Sequence, residues 1–137
     1  MKIFLMIMAG AVVIWPVICW FSYHMVGWRM WELKFFRVQT TLNTSLASSV
    51  SLKKFGSYNL LVFVGVEEYG VAFVPSWLLI FHKRFSIPWA NIMSFSLIAS
   101  HASTKCLLNT NVGQIVITGD IAEIVARGCE SHYVSKR

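Results

Sequence analysis

At 137 residues, the chain has room for one compact domain and little else. Hydrophobic residues make up 56%, charged residues 13%, and mean hydropathy is +0.61; soluble domains carry about 25% charge, so that class is a poor fit. The net charge of +6 admits anionic partners.

The apolar excess is concentrated at the start. Ile3 to Val26 contains no charged residue, and about 20 apolar residues suffice to cross a bilayer as a helix, which predicts a transmembrane signal anchor over residues 1–27. Pro16 lies near its middle, where membrane helices tolerate a lost donor and the kink it brings. Trp15 and Trp20 are candidates for a partner interface, whereas Tyr23, His24 and Trp28 suit the aromatic belt at headgroup level. A cleaved signal peptide has an apolar core of about 7 to 15 residues and a small-residue cleavage site; the run here is longer, and "ICWFSYHMVGWRMW" offers no such site. Lys2 stands alone before the span while Arg29, Lys34 and Arg37 follow it, so the positive-inside rule puts the downstream part in the cytoplasm. Cys19, Cys106 and Cys129 are an odd, scattered set that makes no disulfide framework and fits a reducing compartment.

Residues 28–57 read as a membrane-proximal helix and a linker. In "GWRMWELKFFRV", Trp28 and Trp31 alternate with Arg29, Lys34 and Arg37; a helix of this kind would continue the span into the interface, with aromatic rings at the boundary and cations beside headgroups. "QTTLNTSLASSVSLKKFGS" is rich in Ser, Thr and Asn without a firm period, which marks a linker over residues 39–57.

Residues 58–128 form the expected domain. "YNLLVFVGV" and "VAFV" read as strands of a hairpin, with Gly70 supplying a positive φ at the turn. "SWLLIF" is either a buried strand or an apolar loop that enters a bilayer or a partner's groove. "FSI", "NIMSFSLI", "TKCLLN" and "QIVITG" bring the expected strands to at least six. Asp120 with Glu123, then Ile121, Ile124 and Val125 on one face, predict a short closing helix that Gly128 stops, leaving residues 129–137 as a frayed tail. Pro88 belongs at a strand end and Trp89 can bury its ring beneath a bent sheet, so "IPW" reads as a fold corner. The class is α+β, mainly β.

The order "VGVEEYGVAFV…HKRFSIPWANIMSF" resembles the bacterial pleckstrin-homology-like (PH-like) and GRAM-like pattern at Gly70, Ile87, Pro88, Trp89 and Ile92. More closely, the chain resembles small bacterial membrane proteins with one N-terminal span followed by Gly-Trp, here Gly27-Trp28. The resemblance implies a transmembrane helix in the inner, cytoplasmic membrane, followed by a PH-like bent-sheet barrel that a C-terminal helix closes. Its matching positions are structural and imply no chemistry. Where that group has a proline-rich stretch before Ile-Pro-Trp, this chain has "FHKRFS".

No catalytic constellation is legible. Cysteines and histidines share no nucleophile spacing, Glu67 and Glu68 are adjacent and would point to opposite faces of an extended segment, and neither metal-ligand spacing nor a phosphate loop occurs. No cofactor is expected. An anchored chain meets the bilayer before nucleic acid, so Lys53, Lys54, His82, Lys83 and Arg84 are the candidate lipid or partner contacts, with solvated turn charges as the plainer account. The expectation is a non-catalytic binding or scaffolding module that recruits a lipid or protein. The alternative is an accessory subunit of a membrane complex or a toxin-neutralising immunity protein, with Ala9, Gly10 and Ala11 as a helix contact.

Overall fold

The computed structural model describes residues 1–25, 27–35, 44–47, 49–52, 57–99, 101 and 103–135. Helix α1 (Lys2–Met25) takes up the apolar run, with Pro16 inside it, and is long and apolar enough to cross a membrane. The chain turns at Gly27, whose φ of 99° is a left-handed conformation that a side chain would disfavour. Helix α2 (Trp28–Phe35) begins at once, burying Trp28, Trp31, Glu32 and Phe35 at the i, i+3, i+4, i+7 spacing of one helical face.

This changes the reading of the tryptophans. Trp28 and Trp31 were expected among lipid headgroups, but both are 0% exposed and belong to the domain core. The break at Gly27 turns α2 away from the line of α1, so its aromatic stripe meets the sheets. Arg29 and Lys34 keep the exposed side.

Residues 39–57 also depart from the linker expectation. Their described part holds strands β1 (Thr44–Leu46) and β2 (Ser49–Ser51), and Ala47, Val50 and Leu52 are buried in the core. Seven further strands follow among the described residues: β3 (Tyr58–Asn59), β4 (Val62–Val66), β5 (Gly70–Pro75), β6 (Phe85–Pro88), β7 (Ile92–Ala99), β8 (Thr104–Thr110) and β9 (Gln114–Thr118). Inward positions alternate as pleating requires: Val62 and Val64 on β4, Cys106 and Leu108 on β8, Ile115 and Ile117 on β9 are all 0% exposed.

The strands form two antiparallel sheets, β1-β4-β5-β6 and β3-β2-β9-β8-β7, which do not close into the barrel that was expected. Pro88 ends β6 opposite Gly70, and a 3-10 turn (Trp89–Asn91) then carries the chain from the first sheet to the second. Ile87 and Ile92, on either side of this corner, are buried. Gly70 has no positive φ. Its role is close approach, since a Cβ there would lie 1.9 Å from the Ile87 carbonyl oxygen.

Helix α3 (Ile121–Ser135) touches β4 of one sheet and β7, β8 and β9 of the other. Gly128 does not stop it. A Cβ at Gly128 would come within 2.9 Å of Val66 Cγ1 and 3.0 Å of Trp89 Cη2, so the missing side chain lets the helix pass close to the sheet. As far as Ser135, the expected frayed tail is therefore helix, and it contributes Cys129 to the core. Cys129 is fully buried, Tyr133 stacks on Phe95 at 5.7 Å, and the Tyr133 hydroxyl donates to the Ile92 carbonyl.

Ser76 to Phe81, left open between strand and loop, forms a chain of turns joining β5 to β6. Leu79 is buried, while Trp77 is 88% exposed and Leu78, Ile80 and Phe81 are also exposed.

Candidate functional site

The side chains with most chemistry meet where α1, α2, β3 and the loop 76–84 converge. His82 lies at the centre. Its Nδ1 is 2.8 Å from the Ile80 carbonyl oxygen, which can only accept, so Nδ1 carries a hydrogen. Its Nε2 is 2.9 Å from the Tyr58 hydroxyl, which also reaches the Ser22 carbonyl of α1 at 3.1 Å. Burial holds the imidazole pKa below its ordinary 6.5, the Ile80 carbonyl opposing weakly. Burial likewise pushes the Tyr58 phenol up. A neutral His82 with its hydrogen on Nδ1 leaves Nε2 as an acceptor, and the Tyr58 hydroxyl supplies the bond.

Aromatic rings wall this group. Trp28 meets Tyr58, His82 and Phe85 edge to face, with centroids 5.4, 5.3 and 5.0 Å apart, and its indole N–H donates to the Lys83 carbonyl at 2.8 Å. Tyr23 of α1 approaches His82 at 5.4 Å and donates its hydroxyl to the Glu32 carboxylate. Glu32 is buried, a placement a carboxylate tolerates only with a donor.

A second contact lies further along α1. The Trp15 indole N–H donates to the Leu78 carbonyl at 2.6 Å, and the Cys19 thiol reaches the same oxygen at 3.4 Å. Phe81 adopts φ of 72°, a rare conformation for a bulky residue. Its ring borders two recesses. One, of about 260 Å³, is lined by Pro16, Val17, Trp20 and Phe81; the other, of about 550 Å³, is lined by Tyr23, Glu32, Leu33, Phe81 and Lys83.

The candidate contacts are only partly assembled. His82 is buried rather than displayed, and its ring nitrogens face Tyr58 and Ile80. Lys83 is exposed and Arg84 half-buried. Lys53, Lys54 and Arg37 lie outside the described residues. Sequence reasoning passed over Ser22, Glu32, Tyr58 and Leu78. An acid within the aromatic stripe of α2 was the available signal for Glu32; the others depend on contacts between distant segments.

Cys106 and Cys129 are buried. Burial pushes the Cys106 thiol up to about 11 and, with Cys106 adding, the Cys129 thiol to about 12. Both are neutral near pH 7, the form in which a thiol is a poor nucleophile. Among the described residues, no group of three or more His, Cys, Asp and Glu is placed to hold a metal ion. No family model, curated protein or solved structure matches the chain.

Proposed function

We propose that the chain is a single-span membrane protein whose domain is a non-catalytic binding or scaffolding module at the cytoplasmic face of the inner membrane. The packing of α1 into the domain carries this reading. Trp15, Cys19, Ser22 and Tyr23 all bond to the domain or to α2, contacts that a cleaved leader would forfeit. The exposed Arg29, Lys34 and Lys83 follow the helix or lie beside its end, which supports anionic lipid headgroups as the recruited ligand, each near-surface cation adding about 1 kcal/mol. For the fold, two meanders (β4-β5-β6 and β7-β8-β9) followed by α3 across both sheets support a PH-like plan.

Co-purification of lipid with the full chain and with an Arg29→Gln, Lys34→Gln, Lys83→Gln variant tests the lipid reading. Anionic lipid should be enriched with the parent and reduced with the variant; equal lipid profiles would remove the headgroup role. A protein partner is favoured by one further observation. β7 is an outer strand that displays Met93, Leu97 and Ile98, an edge of the kind that accepts an added strand. A stoichiometric protein held equally by both forms would favour that second reading.

A further inference from the structure

We infer that the loop from Ser76 to Phe81 is a second membrane-inserted element, seated among lipid acyl chains beside α1. This rests on the reading of α1 as a span and adds to it a part of the domain that enters the hydrocarbon.

Depth is the first argument. Leu78 is bonded to Trp15 and Cys19, which precede Met25, the last residue of α1, by ten and six positions. At a rise of 1.5 Å per residue the loop meets α1 about 9 to 15 Å inside its domain end. Half of a hydrocarbon core is about 15 Å. A loop hydrogen-bonded at that level of a spanning helix shares its solvent.

The composition of the loop suits that solvent. Trp77, Leu78, Ile80 and Phe81 are exposed, and no Asp, Glu, Lys or Arg occurs between Glu68 and Lys83. These exposed groups are continuous with the apolar surface of α1 through Phe81, which shares a recess with Pro16, Val17 and Trp20.

The backbone adds partial support, because non-helical chain at membrane depth satisfies its polar groups internally, as the loop does at every residue but Trp77 and Phe81. The Ser76 amide donates to the Leu61 carbonyl, Leu79 to Ser76, Ile80 to Leu78 and His82 to Leu79, and the Leu78 amide donates to the Ser76 hydroxyl. The Leu78 carbonyl accepts from Trp15 and the Ile80 carbonyl from His82.

Spin labels on the full chain in nanodiscs of phosphatidylcholine and phosphatidylglycerol test the inference. Trp77→Cys is compared with Val12→Cys on α1 and with Glu68→Cys in the hairpin turn, which lies at the other end of the six-residue β5, about 20 Å away. The readout is collision with oxygen against collision with a water-soluble nickel chelate. The label at 77 should match the oxygen-rich ratio at 12. If 77 matches 68 while 12 remains oxygen-rich, the loop is in water and the inference fails with the anchor intact. If 12 also matches 68, the span reading fails as well. A label at 77 shielded from both reagents would overturn lipid contact in favour of protein contact. As a check that avoids a new cysteine, brominated acyl chains should quench more fluorescence in the parent than in Trp77→Phe, and equal quenching would again overturn it.

Discussion

The Tyr58 hydroxyl has one hydrogen and two acceptors within reach, His82 Nε2 and the Ser22 carbonyl. With His82 neutral, the hydrogen points to Nε2; with His82 protonated, Nε2 donates to Tyr58 and the hydroxyl turns to Ser22. Because folding depresses the imidazole pKa, the unfolded chain takes up the proton first. The contribution of His82 is therefore complete above about pH 6.5 and is lost as pH falls from there toward the folded value. Unfolding midpoints measured in detergent from pH 8 to 5 should decline, and His82→Gln should flatten that decline. Tyr58→Phe should cost about 1 to 3 kcal/mol, since it leaves the buried His82 Nε2 without its donor. Gly70 tests a different constraint. With a backbone oxygen 1.9 Å from a Cβ at that position, Gly70→Ala should cost about 3 kcal/mol or more. Gly128→Ala meets only side-chain atoms and recovers up to about 1 kcal/mol of helix propensity, so chemical denaturation should place it well above Gly70→Ala in stability.

At the scale of elements, period-2 runs were the legible part. The strands from β4 onward stand out as β-branched and apolar stretches bounded by turn residues. "SVSL" in and after β2 carried the same alternation, with Val50 and Leu52 inward, but its serines read as linker. α2 could not be assigned to lipid or core, because Trp28, Trp31 and Phe35 form one stripe in either setting and only the turn at Gly27 decides which surface receives it. Gly128 misled for a related reason: a glycine that stops a helix and one that lets it pass close to a sheet look alike in sequence. The loop at 76–81 is as apolar as a core strand, and what separates the two is a contact with Trp15 more than sixty residues earlier. The buried thiols on β8 and α3 give a direct check of these placements. Cys106 and Cys129, held near 11 and 12, should resist a thiol reagent at pH 8 in the folded protein and react when denaturant is added; prompt labelling of either would contradict the packing of α3 on β8.

For the whole molecule, α1 is long and apolar enough to cross a membrane and is also part of the packing. Removing residues 1–25 would strip the buried Glu32 carboxylate of the Tyr23 hydroxyl that donates to it. The truncated domain should unfold about 1 to 3 kcal/mol more easily than the full chain in the same detergent, seen as a lower midpoint at unchanged pH. An equal midpoint would mean that this contact contributes nothing net.

The domain holds α1 at two levels, through Leu78 at Trp15 and Cys19, and through Tyr58 and Glu32 at Ser22 and Tyr23. Two attachments along one rod suppress rocking in a way that a single flexible joint cannot. With α1 spanning a bilayer as proposed, a copy fixed like this would drift sideways and spin about the membrane normal, and do little else. Its search for a partner would then be reduced to two translations and one rotation, with every encounter with another membrane-held protein at the same height and with the same face upward.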